Sequence, residues 1–177
     1  WSASCKMGEH AFNVVYNDTT RTSWQTVLVG RSIKIKKDPN MLGELVIDRG
    51  GHNKNDRHFL VFSGTLEMED VTLKGGYTAD TGASVYIQGH QGVPGFGTFT
   101  RVFFKDNAAQ YGAGAVFVHT GGSGTFISCS WSGNTIPTMR YGTTLISNDV
   151  WIYPEAETTF LNKKCVSTKR LALAITH

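Results

Sequence analysis

Between Gly64 and Ile146, apolar residues alternate with polar ones or form short runs that glycine, asparagine or aspartate bounds. This pattern is typical of short strands joined by turns, and it leaves no space for long helices. The pattern also repeats. One phrase begins Gly-Thr at residues 64, 97 and 124, and a second begins with glycine at residues 82, 112 and 142, so its copies are 30 residues apart. A fixed period of this length indicates a solenoid with one turn per repeat.

The predicted fold is therefore all-β: a single-stranded parallel β-helix with about 27–31 residues per turn and terminal capping strands. One domain covers residues 1–177, with an N-terminal cap at 1–23, β-helix coils at 24–162 and a C-terminal strand or tail at 163–177. The coils amount to about five or six turns. Because parallel crossovers are generally right-handed, we expect a right-handed coil.

Stacked parallel strands place equivalent side chains above one another, so an inward position becomes a column of similar residues. An asparagine at the turn after a strand satisfies backbone groups, stacks on its own kind and tolerates left-handed backbone. A glycine suits a corner that has no space for a Cβ. The predicted columns are Leu73, Phe104 and Trp131; Val71, Val102 and Cys129; Asn107 and Asn134; and Gly82, Gly112 and Gly142.

Several stretches resemble a known family. Residues 104–107 (Phe-Lys-Asp-Asn) and 111–116 (Tyr-Gly-Ala-Gly-Ala-Val) are similar to the F-x-x-N and G-G-A-[ILV] repeats of right-handed parallel β-helices of the polymorphic outer-membrane-protein type. Ala113 replaces the second glycine of that motif, and the third copy reads Gly-Thr-Thr-Leu. Further similarity to pectin-lyase-like β-helices lies in residues 47–51, 57–59, 64–76 and 148–152. The resemblance covers roughly residues 24–162 and implies a fold, not an activity.

The family resemblance also raises an enzymatic alternative, because many pectin-lyase-like proteins cleave or epimerise acidic polysaccharides. Such chemistry needs carboxylates together with an arginine or lysine base on one outward face. The candidates are Glu67, Glu69, Asp70, Arg101 and Asp106. They are few and spread out, so we expect no catalytic site. The six histidines lack zinc-site spacing, and His58 reads as a strand-flanking residue, so we expect neither a metal site nor a cofactor.

Charge and hydropathy limit the partners. The formal net charge is +3. In residues 33–36 the alternation turns two isoleucines inward and two lysines outward, so Lys34, Lys36 and Lys37 form either a solvated face or a basic strip for acidic glycans. Aromatic residues are not interleaved with a strong basic excess, so we expect no nucleic acid partner. No apolar run approaches the length of about 18 residues that a membrane span needs.

The ends of the chain suggest export and assembly. Residues 17–19 (Asn-Asp-Thr) form an N-glycosylation sequon at Asn17, and the chain begins at Trp1 without methionine, as expected of a processed or trimmed chain. Cys5 and Cys165 are too far apart in a straight coil to pair, so they either staple the caps or pair between molecules. The tail alternates like a strand that pairs along its own coil or with a neighbour, at Leu171, Leu173 and Ile175.

The leading hypothesis is a non-catalytic extracellular or cell-surface solenoid with a structural or adhesive role. Its faces and ends would contact glycans or copies of itself, and end-to-end stacking or strand exchange would make it a glycosylated fibre subunit. The alternative hypothesis is a polysaccharide lyase or epimerase that acts on acidic glycans.

Overall fold

The computed structural model describes residues 26–51, 57–136, 149–153 and 155–161. These residues form sixteen short strands and no helix. The strands of each sheet pair in parallel and stack into a β-solenoid of about four turns. The predicted all-β parallel solenoid is therefore confirmed, with about four turns in the described residues where five or six were predicted. The predicted caps at 1–23 and 163–177 lie outside the described residues.

Each turn of the solenoid passes through three sheets. The first sheet contains β2 (Ile33–Lys36), β5 (Thr65–Glu69), β9 (Gly95–Thr100), β13 (Gly122–Ile127) and β16 (Glu157–Leu161). The second sheet contains β3 (Leu45–Asp48), β6 (Val71–Lys74), β10 (Phe103–Lys105) and β14 (Ser130–Ser132). The third sheet contains β1 (Val27–Val29), β4 (Phe59–Val61), β8 (Val85–Ile87), β12 (Val116–Val118) and β15 (Val150–Ile152). Two-residue strands β7 (Tyr77–Thr78) and β11 (Ala108–Ala109) pair between the second and third sheets.

The core consists of columns of like side chains that run along the solenoid axis. Phe104 lies in register with Leu73 on one side and Trp131 on the other, and all three are buried. The rings of Phe104 and Trp131 stack 4.3 Å apart at 7°. Val71, Val102 and Cys129, which each precede this register by two residues, are buried as well. Because each side chain packs on its equivalents above and below, the turns stabilise one another rather than themselves.

Each corner requires a residue with left-handed backbone. At the corner between the first and second sheets this residue is Asp70, Arg101 or Ser128, with φ between 52° and 56°. At the next corner it is Gly75, Asp106 or Gly133. The left-handed residue thus comes directly before the asparagine position, for which the sequence indicated only that asparagine tolerates this geometry. The side chain of Asn107 or Asn134 is consequently available to point inward, where both residues are buried.

The glycine column is placed at the corner that precedes the third sheet. Gly82 and Gly112 have φ of 63° and 48°, and a Cβ on Gly112 would collide with the ring of Trp151. Gly142 lies outside the described residues. The strand that stacks on β12 is Val150–Ile152, with Val116 opposite Val150. Residues 142–146, the predicted third copy of the second phrase, lie outside the described residues as well, so that interpretation stays a prediction.

Candidate functional site

A buried hydrogen-bond ladder links the turns at the corner after the second sheet. Asn107 accepts a hydrogen bond from Gly76 N (2.9 Å) and donates through Nδ2 to Leu73 O (3.1 Å). Asn134 repeats the arrangement one turn higher: its Oδ1 accepts from Asn107 N (3.1 Å) and Nδ2 (3.0 Å), and its Nδ2 donates to Phe104 O (3.0 Å). Buried amides that meet nearly all of their hydrogen-bonding capacity rigidify a core.

The ladder ends at a buried carboxyl group. Asn134 Nδ2 also donates to Asp149 Oδ1 over 2.9 Å, and Asp149 lies directly before β15. Burial raises the pKa of Asp149, and the hydrogen bond from Asn134 partly opposes that rise. The side chain of Asp149 therefore belongs to the internal network and is not turned towards a ligand.

His58 occupies the lowest described position of this corner. Its Nε2 lies 3.0 Å from Ile47 O and 3.1 Å from Lys74 O, and its Nδ1 lies 3.4 Å from Ser84 Oγ. The two carbonyls require the proton on Nε2, and the Ser84 hydroxyl can donate to Nδ1 of a neutral ring. Burial, followed by the charge of Arg49, lowers the pKa of His58 to about 3. The sequence showed His58 only as a strand-flanking residue, because its partners come from distant parts of the chain.

The candidate catalytic residues meet on the outer face of the first sheet. Arg101 Nε and Nη2 donate to the two carboxylate oxygens of Asp70 over 2.6 and 2.8 Å, and Nη2 also donates to Glu69 over 2.6 Å. Lys36 contacts the other oxygen of Glu69 at 2.9 Å. Hydrogen bonds from Lys36 and Arg101 lower the pKa of Glu69, and the bond from Arg101 lowers the pKa of Asp70. Asp106 is not part of this group, because it lies at the next corner.

Two of the three lysines of the predicted basic strip, Lys34 and Lys36, are paired with acids on the neighbouring strand. Lys34 contacts Glu67 at 3.1 Å, in register across β2 and β5, just as Lys36 contacts Glu69. Each of these lysines thus has a carboxylate partner one turn higher. The outer face of the first sheet is consequently a mixed-charge surface instead of a cationic one.

The outer face of the third sheet has a very different composition. Outward positions in register along its five strands are Leu28, Leu60, Tyr86, Phe117 and Trp151. We call the upper part of this surface, together with the two residues that follow β12 and β15, the aromatic face; it consists of Tyr86, Phe117, His119, Trp151 and Tyr153.

The rings of the aromatic face pack on one another from turn to turn. Phe117 lies between Tyr86 and Trp151, with centroid distances of 5.1 and 5.2 Å. His119 packs on Tyr153 at 4.6 Å. Tyr86, His119 and Trp151 are partly exposed, and 40% of Tyr153 is exposed. Sequence reasoning missed this face because each strand reads as a continuous apolar run, which does not distinguish inward from outward positions.

A cation lies at the lower end of the aromatic face. The guanidinium carbon of Arg57 is 5.0 Å from the centroid of the Tyr86 ring, a cation–π arrangement. The same guanidinium donates to Asp80 over 3.3 Å. Burial is the main cause that raises the pKa of Tyr86, so its hydroxyl stays protonated at neutral pH.

Other predicted sites have simpler outcomes. Cys129 is buried, with Sγ 3.3 Å from Phe99 O. In the described ranges, no group of three histidine, cysteine or acidic side chains could hold a metal ion, and no helix there is long and apolar enough to cross a membrane. The glycosylation site and the predicted intermolecular contacts lie outside the described residues: Asn17, Cys5, Cys165, Leu171, Leu173 and Ile175.

Comparison with known proteins adds no relative to this picture. No protein-family model matches the chain, and no curated protein or solved structure is significantly similar to it. The parallel β-solenoid is thus established by strand pairing alone.

Proposed function

We propose that this chain is a non-catalytic structural or adhesive solenoid that acts through its outer surface. The observation that carries the proposal is the aromatic face, where Tyr86, His119, Trp151 and Tyr153 are partly exposed around the buried ring of Phe117, beside an ordinary charged face. Soluble proteins rarely expose contiguous apolar surface without a use for it, and aromatic residues are enriched where proteins bind partners.

The geometry of the charged residues supports the non-catalytic part of the proposal. A general acid or base must be able to exchange a proton with a substrate, and a lowered pKa keeps a carboxylate ionised. Glu69 and Asp70 have lowered pKa values and are bound by Arg101. Lys34 and Glu67 also form an ion pair, in which their opposite charges offset each other. This network stabilises a corner between turns, and its carboxylates are poorly suited to proton transfer.

The remaining parts of the hypothesis are also proposals. Membership of the pectin-lyase-like or polymorphic outer-membrane-protein type rests on the motifs in the sequence. Extracellular location, an N-glycan at Asn17 and polymerisation into fibres rest on residues outside the described ranges. Electron microscopy with glycan mass spectrometry of the native protein tests these parts together, because a fibre subunit gives filaments with a regular axial repeat and a glycan on the peptide that contains Asn17.

A depolymerisation assay tests the non-catalytic proposal. The protein is incubated with polygalacturonate and with alginate, and the release of unsaturated or reducing ends is measured. We expect no release above background. Turnover by the parent protein that Arg101→Ala or Glu69→Gln abolishes, while Lys105→Ala leaves it unchanged, would overturn the proposal in favour of a polysaccharide-active enzyme.

A further inference from the structure

The aromatic face presents its rings at a spacing that the strands fix. Tyr86, Phe117 and Trp151 occupy paired positions on β8, β12 and β15, and because Phe117 is buried, the partly exposed rings of this row are Tyr86 and Trp151, two strand spacings or about 9.6 Å apart. His119 and Tyr153 form a second, shorter row beside the first. The result is a narrow surface parallel to the solenoid axis, and a partner that follows it must itself be linear and have a short repeat.

The charge on this surface is small. Arg57 is the cation in contact with the rings, and its guanidinium is shared between the Tyr86 ring and the Asp80 carboxylate. A polyanionic partner would have to compete with Asp80 for Arg57. The hydroxyls of Tyr86 and Tyr153 and the imidazole of His119 offer hydrogen-bonding groups at the edges of the rings. A neutral partner that has both apolar and hydroxyl groups fits this chemistry.

We infer that the aromatic face binds a neutral, β-linked polysaccharide laid along the solenoid axis. A pyranose ring has a face of C–H groups that packs against aromatic rings and an equator of hydroxyls that forms hydrogen bonds. In an extended β-linked chain each sugar advances by about one strand spacing, so every second sugar meets an exposed ring, first Tyr86 and then Trp151. This inference rests on the proposed adhesive function and names its ligand class.

The test uses soluble cellohexaose and insoluble cellulose as probes. Tyr153→Ala removes a ring from the aromatic face, and Phe96→Ala removes a ring of similar exposure, 43% against 40%, from the outer face of the first sheet. We expect Tyr153→Ala to weaken binding at least about tenfold and Phe96→Ala to leave it within about twofold. Equal binding by the parent protein and both variants would overturn the inference.

Hydrogen exchange of the parent protein provides a measurement that does not depend on whether a variant folds. Cellohexaose should slow exchange in the peptide that covers residues 150–153 and leave the peptide that covers 95–100 unchanged. Protection confined to residues 95–100, or no protection at saturating cellohexaose, would contradict the inference.

The outcomes of these experiments separate a wrong ligand class from a wrong proposed function. If Tyr153→Ala abolishes binding to polygalacturonate and cellulose is not bound, the adhesive function stands and the neutral ligand class is wrong. If the parent protein releases products from either polysaccharide, the non-catalytic function itself is wrong.

Discussion

At the corner after the second sheet, buried backbone carbonyls receive a hydrogen bond from an asparagine in the upper turns and from a histidine in the lowest turn. Ile47, Leu73 and Phe104 are in register, and the carbonyl of each receives a side-chain hydrogen bond. Asn107 donates a hydrogen bond to Leu73 O, and Asn134 donates one to Phe104 O. Each asparagine lies in the turn above the carbonyl that it contacts. Ile47 O instead accepts a hydrogen bond from His58, which lies in the same turn as Ile47, on the other side of the corner.

The reason for the difference is space. The residue equivalent to the asparagines is Gly76, and a Cβ at this position would collide with Ala83 O and with the His58 ring. No side chain at residue 76 can therefore reach Ile47 O, so the donor comes from the residue before β4. The requirement at this corner is one buried donor for each turn, and the residue type is secondary. A buried carbonyl without a donor would cost about 1–3 kcal/mol.

The largest expected effect follows from removing the central amide of the ladder. Asn107→Ala takes partners from Gly76 N, Leu73 O and Asn134 Oδ1 at once. We expect the free energy of unfolding to fall by roughly 3 kcal/mol or more, measured by urea denaturation. Asn107→Asp is the matched variant, since it keeps an acceptor for Gly76 N but loses the donor. A change below about 1 kcal/mol for Asn107→Ala would show that the ladder is not needed.

A smaller loss is expected at the lowest turn. His58→Ala removes the donor to Ile47 O and leaves a cavity, whereas Lys74 O still accepts from Arg49 N over 2.9 Å. We expect a loss of about 2 kcal/mol at pH 7, less than for Asn107→Ala, because Lys74 O keeps a donor and the contact of His58 Nδ1 with Ser84 Oγ is long, 3.4 Å. A loss larger than that of Asn107→Ala would reverse the ranking of the two regions.

The two regions should also differ in their response to pH. The folded pKa of His58 is about 3 and its ordinary value is 6.5, so below pH 6.5 the unfolded chain binds a proton that the folded chain does not. Stability should fall by on the order of 1 kcal/mol per pH unit between pH 6.5 and 3. The raised pKa of Asp149 acts in the opposite sense, so the quantity to measure is the difference between the parent protein and His58→Gln. Identical slopes for the two proteins would exclude a buried neutral His58.

The smallest effect on stability is expected from a substitution outside the corner ladder. Arg101→Ala removes the ion pairs with Glu69 and Asp70, which are exposed to solvent and screened by salt. We expect a slight decrease in the urea midpoint that shrinks further in high salt. A decrease as large as that of His58→Ala would mean that surface charge stabilises the stack as much as the buried corner does.

The sequence predicts the inner columns better than any other feature. Leu73, Phe104 and Trp131 are recognisable because each copy of the first phrase keeps the same spacing from its Gly-Thr start, and the structure stacks them in register. The strand that stacks on β12 in the last turn, Val150–Ile152, was not predicted as a copy of the second phrase, because no glycine stands three or four residues before it.

Features that depend on contacts between turns were not predictable from the repeat. His58 acts through Ile47 and Lys74, whose carbonyls come from other strands, and no periodic pattern connects the three. The aromatic face needs the strand register to be known before Tyr86, Phe117 and Trp151 can be seen as one surface. His58 has no counterpart of the same type in the turns above, whereas repeats reveal only positions that stay alike.

The most direct test of this account is the protonation state of His58 in the folded protein. Ring-nitrogen NMR, assigned with His58→Gln, should show a neutral ring with its proton on Nε2 from pH 7 down to about pH 4, because burial lowers the pKa to about 3. That result would establish that the lowest turn obtains its donor from a neutral histidine. A ring that becomes doubly protonated with a midpoint near pH 6.5 would contradict the account.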